Sequence, residues 1–306
     1  MATTARRNVF TGICFAVLAT LIWSGNFVLA RGFSQQIPPI ALGFFRWATA
    51  SLLILPVSFN YLRKDLPLLL QSWKLILVAS ITGISLFNTF IYIGSHYTSA
   101  INLALIGNTV SPVVSVVLAA IVLKESIGWR KMTGILLCII GIVYLLMKGQ
   151  FKNLLSLNFS AGDGWMVLAA LSFSVYTIAA RKKPASISFL GFLSATFITG
   201  TVLLFPFYLL EARGQTFTWN ANLIYALLYL GLGTSIISFF SWNYAIKQIG
   251  AARTALFGNL IPIFSSIEAV IILKEPFTGI HAVSMLLVIA GLLLANIPGK
   301  KQPGNG

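Results

Sequence analysis

The sequence predicts an all-α integral membrane protein with ten transmembrane helices, arranged as two five-helix repeats of inverted orientation. Three observations carry this prediction. The 306-residue chain is 58% hydrophobic and 9% charged, whereas soluble domains carry about 25% charged residues. It contains ten apolar runs close to the length that crosses a bilayer, about 20 residues. Its second half also repeats the pattern of the first.

The apolar runs are separated by short gaps rich in proline, glycine, asparagine and charged residues. The first run follows Arg6 and Arg7, as a signal peptide would, but it is too long for a signal core and no cleavage site follows it. We therefore expect it to remain as the first helix. The ten predicted spans are 10–31, 39–59, 74–94, 99–123, 131–148, 163–181, 187–210, 222–246, 252–273 and 280–297.

Polar residues are concentrated in spans 1, 3, 4, 6, 8 and 9. Polar groups in lipid need a partner, an interface or a wet cavity, so we expect these spans to surround a central substrate cavity. For any single serine or threonine, a bond to its own helix backbone remains the alternative. The predicted cavity residues are Trp23, Asn26, Asn88, Tyr92, Asn108, Tyr176, Ser238, Trp242, Asn243 and Asn259.

Spans 5 and 10 carry few polar residues and are predicted to be peripheral supports. Each has small residues seven positions apart, which lets helix backbones approach closely. Pro112 and Pro262 lie inside spans 4 and 9, where proline removes a backbone hydrogen bond. These prolines predict helix kinks, which are either packing bends or hinges. The small residues of spans 5 and 10 are Gly134, Gly141, Ser284 and Gly291.

Two charges lie well inside the apolar runs, away from the ends. Arg46 and Glu268 are expected roughly 10 Å and 8 Å from the same membrane surface, at about 1.5 Å per residue. One hypothesis is an ion pair that closes the outer side of the cavity. A second is that Glu268 carries a proton or a cationic substrate group. An arginine partner would keep Glu268 ionised, so the two hypotheses conflict. A third is that Arg46 extends to the interface.

The basic residues indicate the orientation of the chain. Most of the 21 lysines and arginines fall in alternate loops, which predicts that both termini are cytoplasmic in the inner membrane. The same bias explains the net charge of +15 without any nucleic-acid partner. The predicted partners are the lipid bilayer and a small-molecule substrate.

The repeat is visible along most of the chain. Residues 18–31 (LATLIWSGNFVLAR) align with 168–181 (LAALSFSVYTIAAR), and 105–126 (LIGNTVSPVVSVVLAAIVLKES) align with 255–276 (ALFGNLIPIFSSIEAVIILKEP). A unit with five spans ends on the side opposite its start, so the second copy is inverted. Inverted repeats are typical of secondary transporters that work by alternating access. A passive channel and a membrane enzyme built by duplication remain alternatives.

These segments resemble the two repeats of EamA-type permeases in the drug/metabolite transporter superfamily. The similarity rests on WSGNFVLAR in span 1, on YTSA with its partner IGAARTA, and on the two segments in which Lys-Glu follows proline. It implies repeats at 1–150 and 151–299. The polar composition of the remaining residues, rich in glycine and proline, predicts a disordered tail at 300–306. The resemblance also implies export of a small metabolite such as an amino acid. Protons are a candidate coupling ion because of Glu268.

No catalytic motif was found. H-E-x-x-H, G-x-S-x-G and the lysine-containing phosphate loop are all missing from the sequence. The two histidines, His96 and His281, are too isolated to suggest a metal site. We therefore predict a protein that is not an enzyme and that has no metal and no cofactor.

Overall fold

The computed structural model describes residues 2–122, 128–150, 160–214 and 216–296, and all regular elements in these ranges are helical. We group them into ten segments in chain order. These are α1 Ala2–Gly32, α2 Pro39–Gln71, α3 Trp73–Gly94, α4 Ala100–Val122, α5 Trp129–Leu146, α6 Ala161–Arg181, α7 Phe189–Ala212, α8 Ala221–Ile249, α9 251–273 and α10 Gly279–Asn296.

The helices have the length and composition of membrane spans. Eight helices of the described residues are long and apolar enough to cross a membrane, and two shorter apolar helices, Met132–Leu146 and Gly279–Ala295, belong to α5 and α10. Large apolar side chains such as Leu52 and Ile121 are 68% and 69% exposed. A surface this apolar suits lipid, so the chain is a multi-pass membrane protein.

The segments α2 and α7 lie side by side and run in opposite directions. Asp65, near the end of α2, accepts hydrogen bonds from the backbone and hydroxyl of Ser188, which caps the start of α7. Glu211, near the end of α7, accepts from the backbone N–H groups of Ile40 and Ala41 in the first turn of α2. Each helix therefore caps the start of the other, where free N–H groups favour an anion.

The segments α5 and α10 form a second antiparallel pair with close backbone contact. A Cβ atom on Gly134 would lie 2.5 Å from the Gly291 carbonyl oxygen, and one on Gly291 would lie 2.6 Å from that of Gly134. Ser284 donates a hydrogen bond of 2.8 Å to the Gly141 carbonyl. The close approach predicted from these small residues is confirmed.

Three segments contain a π-helical turn, in which the hydrogen bonds span one additional residue. These turns are Ser80–Leu86 in α3, Tyr229–Ile237 in α8 and Ala269–Leu273 in α9. Those in α3 and α8 occupy matching positions in the two repeats. Nothing in the apolar pattern had indicated them.

The two prolines singled out from the sequence lie in different surroundings. α4 is helical from Ala100 to Val122 and includes Pro112. α9 is interrupted between Ala251–Phe257 and Leu260–Glu268, shortly before Pro262. A break in the helix therefore accompanies only the second of these two prolines.

Candidate functional site

Arg46 is the centre of a buried polar cluster. Its side chain is 5% exposed. Nη1 donates to the side-chain oxygens of Asn26 and Asn88, both at 2.6 Å, and to the Tyr92 hydroxyl at 2.9 Å. Nε donates to the Ser235 hydroxyl at 3.1 Å. Four helices, α1, α2, α3 and α8, therefore meet at one guanidinium group.

The local structure around Arg46 holds this geometry in place. The Tyr92 hydroxyl donates to Asn26 at 3.2 Å, so two of the acceptors also bind each other. Ser235 belongs to the π-helical turn of α8, and its hydroxyl donates to the carbonyl of Leu230, five residues earlier. The guanidinium carbon of Arg46 lies 4.8 Å from the centre of the Trp47 ring, a cation–π distance.

Glu268, on α9, packs against a different side of α1 from the one that faces Arg46. It is not a partner of Arg46 among the described residues. It accepts a hydrogen bond of 2.8 Å from Ser24 through Oε1, while Oε2 is buried with no hydrogen bond to the described residues. Ser24 and Asn26 are two residues apart on α1, which turns their side chains about 200° from each other. The two charges thus face different helices in this conformation.

Aromatic rings form a second group next to the Arg46 cluster. The Trp23 ring packs against Phe239 and Trp242, with centroid distances of 5.5 Å and 5.2 Å. Its indole N–H donates to the Thr234 carbonyl at 3.0 Å. Since Ser235 follows Thr234 directly, the aromatic group and the arginine cluster share one stretch of α8.

Several predicted cavity residues form bonds within their own helices. Asn108 donates to the Ala104 carbonyl and Asn243 to the Phe239 carbonyl, four residues earlier in each case. Ser238 donates to the carbonyl of Gly233. These bonds match the alternative considered from the sequence, in which a polar side chain satisfies its own helix.

The last two predicted cavity residues lie apart from the Arg46 cluster. The Tyr176 ring packs beside Phe173 and so close to Gly83 that a Cβ atom there would come within 2.3 Å of it. The Asn259 amide nitrogen is buried at the break in α9, without a hydrogen bond to the described residues. The structure therefore brings together Asn26, Arg46, Asn88 and Tyr92 as one group and Trp23 and Trp242 as another.

Ser24 and Ser235 contact the two charges but were missing from the predicted cavity set. Both lie in polar stretches that the sequence displays, in spans 1 and 8.

A large cavity, of about 430 Å³, lies elsewhere, and none of the ten predicted cavity residues lines it. Its lining includes Asn102 and Asp163 near the starts of α4 and α6.

The fold and the cluster together define a class of protein. A helical bundle with an apolar outer surface, and with buried polar side chains contributed by both halves, has the architecture of a membrane transporter. A model of the EamA-like transporter family matches residues 10–147 and, a second time, residues 160–297. The chain belongs to this family.

Relatives of similar length carry transporter names. An uncharacterized transporter of Archaeoglobus fulgidus is 28% identical over 280 residues, covering 90% of this chain and 94% of its own. A probable terminal-alkyne amino-acid exporter of Streptantibioticus cattleyicolor is 28% identical over 287 residues, covering 92% and 91%. A solved structure described as "Crystal structure of protein" has a TM-score of 0.64 at 19% identity and covers 96% of each chain.

Proposed function

We propose that the protein is a secondary transporter that exports a small amphipathic metabolite, with amino acids as the first candidates, by alternating access. The observation that carries this proposal is the Arg46 cluster. Its members come from α1, α2 and α3 in the first half and from α8 in the second. A site shared between two halves can change its access when the halves rock against each other.

The proposed architecture is ten spans in two inverted repeats, with both termini cytoplasmic in the inner membrane. The antiparallel contacts of α2 with α7 and of α5 with α10 support it, because both pairs join corresponding helices of the repeats. Single cysteines at Lys124 and Lys274 should react with impermeant reagents from opposite sides of the membrane. Labelling of both from the same side would rule out the inversion. Lys124 lies outside the described residues.

For coupling, we propose that protons drive transport and that Glu268 carries them. This coupling proposal is supported by the position of the Glu268 carboxylate inside an apolar helix. One of its oxygens accepts a hydrogen bond from Ser24, and the other has no partner among the described residues. Tyr229 is the titratable neighbour from α8, and its hydroxyl donates to the Ile22 carbonyl on α1. Glu268→Gln should abolish pH-driven flux and leave downhill exchange intact. Loss of both would favour a structural role.

The amino-acid assignment takes support from the name of the Streptantibioticus relative, a probable terminal-alkyne amino-acid exporter. The aromatic group of Trp23, Phe239 and Trp242 also provides an apolar surface beside the charged cluster. Together the two groups suit a molecule with one polar end and one apolar end.

The decisive experiment is counterflow in liposomes that contain the purified full-length chain. A carrier accumulates labelled substrate against unlabelled substrate on the other side, with saturation. A passive channel, the alternative function, shows neither accumulation nor saturation. Chemical conversion of the solute inside the liposomes would instead indicate a membrane enzyme.

A further inference from the structure

Arg46 carries a positive charge that no carboxylate balances within the described residues. All of its hydrogen-bond acceptors are neutral: two asparagine side chains, a tyrosine and a serine. It is also the only lysine or arginine among the buried side chains there. A buried cation without a counter-ion is costly, so its retention in an apolar bundle calls for an explanation.

The acidic residues of the chain are largely engaged elsewhere. Those that cap helix starts cannot reach Arg46 without releasing backbone N–H groups. Glu268 faces another side of α1, and Glu125 lies outside the described residues. The capping carboxylates are Asp65 at α7, Asp163 at α6, Glu211 at α2 and Glu275 at α4.

The cluster still has donors that form no hydrogen bond to the part of the chain that the structure describes. The bonds of Arg46 involve Nε and Nη1, and none within the described residues involves Nη2. Asn26 and Asn88 turn their carbonyl oxygens towards Arg46. Their amide nitrogens make no hydrogen bond to the described residues. One guanidinium nitrogen and two amide groups therefore remain as N–H donors around one positive charge.

We propose that Arg46 binds the carboxylate of the transported molecule. This carboxylate is the counter-ion that Arg46 lacks within the described residues. One carboxylate oxygen accepts from Nη2 and the other from an amide of Asn26 or Asn88, so the ligand has one charge-assisted hydrogen bond and one neutral hydrogen bond. A single buried cation matches a single negative charge, so the ligand class is a monocarboxylate. This inference rests on the proposed function, because it takes the cluster to be the substrate site.

The aromatic group fixes where the rest of the ligand lies. Phe239 and Trp242 are three residues apart in the α-helical part of α8, so they share one face of the helix. Trp23, which packs against both rings, donates to the Thr234 carbonyl next to Ser235. Phe239 is roughly 6 Å along the helix from Ser235, and Trp242 is roughly 10 Å from it, at about 1.5 Å per residue. A carboxylate at Arg46 thus directs an apolar or aromatic tail towards Trp23 and Trp242.

The test is ligand-induced thermal stabilisation of the purified full-length protein in detergent. The carboxylate probes are L-phenylalanine, L-leucine and 3-phenylpropanoate, and the matched probes without a carboxylate are L-phenylalaninamide, L-leucinamide and phenethylamine. We expect the wild-type protein to bind carboxylates and to discriminate against the matched probes by about 10-fold to 100-fold, the effect of losing a hydrogen bond to a charged group. Phenylalanine and 3-phenylpropanoate separate amino acids from simple acids as the source of the carboxylate.

Arg46→Lys keeps the charge but loses the forked donors, and Arg46→Gln loses both. We expect carboxylate affinity to fall by about 10-fold or more in each. Arg213→Gln removes an exposed arginine and should change nothing. If neither Arg46 variant can be purified, the wild-type comparison of carboxylates with amides decides the question.

Equal binding of acids and amides, no binding of any carboxylate, or unchanged affinity in Arg46→Gln would each overturn the inference. Counterflow with the same probes separates this result from the proposed function. Arg46-independent flux of amines or amides would leave the transporter standing without the carboxylate site. Arg46-dependent binding of carboxylates, with no flux of any probe, would leave the site standing without transport.

Discussion

Removal of the Asp65 carboxylate should destabilise the contact between α2 and α7. Asp65 is 4% exposed, and its Oδ2 accepts from the Ser188 backbone at 2.8 Å and from the Ser188 hydroxyl at 2.5 Å. A hydrogen bond to a charged group contributes about 1.5–3 kcal/mol, and the charge at a helix start adds about 0.3–1 kcal/mol. We expect Asp65→Ala to lower the free energy of unfolding by about 2–4 kcal/mol, since these terms are not additive.

The assay is unfolding of the purified protein in detergent micelles titrated with sodium dodecyl sulfate. Asp65→Asn keeps an acceptor oxygen and loses only the charge, so it should cost less than half as much as Asp65→Ala. Glu211→Gln is the matched change at the opposite end of the same helix pair, and the double variant should be close to additive because the caps are far apart. Wild-type stability in Asp65→Ala would refute the reasoning.

Three further predictions concern packing, the aromatic group and pH. Gly291→Leu should destabilise the protein by about 1–3 kcal/mol through overpacking, whereas Gly164→Ala, with nothing within 4 Å of the new Cβ, should change stability by less than about 1 kcal/mol; both are measured by the same unfolding assay. Trp23→Phe should raise the KM for counterflow because it loses the hydrogen bond to the Thr234 carbonyl that positions the aromatic ring. Trp129→Phe, at a residue 72% exposed, should leave the KM unchanged. Burial first, and then a neighbouring arginine, lower the pKa of His96 from its ordinary 6.5, so the folded state resists its protonation. Stability should therefore fall as the pH drops below 6.5, and His96→Gln should remove that part of the dependence in a thermal-melting series.

The membrane class and the close backbone approach made by α5 and α10 could be predicted from the sequence because both depend on local patterns, although the pairing of these two helices with each other could not. Span length follows from a run of apolar residues, and close backbone approach follows from small residues on one face, such as Gly134 and Gly141. These signals do not require knowledge of which helix lies next to which. The EamA resemblance was equally accessible, because its motifs occur twice in the same order.

The partners of Arg46 could not be predicted because they depend on how four helices pack. The depth argument set Arg46 and Glu268 at a similar level, but depth does not specify the side of α1 that each residue faces. Ser235 also lies inside the π-helical turn Tyr229–Ile237, so the face of α8 that it occupies does not follow from counting residues along a regular helix. Whether a polar side chain such as Asn108 bonds to its own helix or faces a cavity likewise depends on neighbouring helices, which the sequence of a single helix does not reveal.

The contact between α2 and α7 has a consequence for how the chain evolved. Ser51 and Thr201 are separated by 150 positions and hydrogen-bond each other at 3.1 Å, so corresponding residues of the two repeats touch. In an ancestral dimer of a single unit, any arginine would have been present twice. Two copies within one chain are free to differ: Arg46 faces its cluster alone, and Thr196 stands at the corresponding position of the second copy.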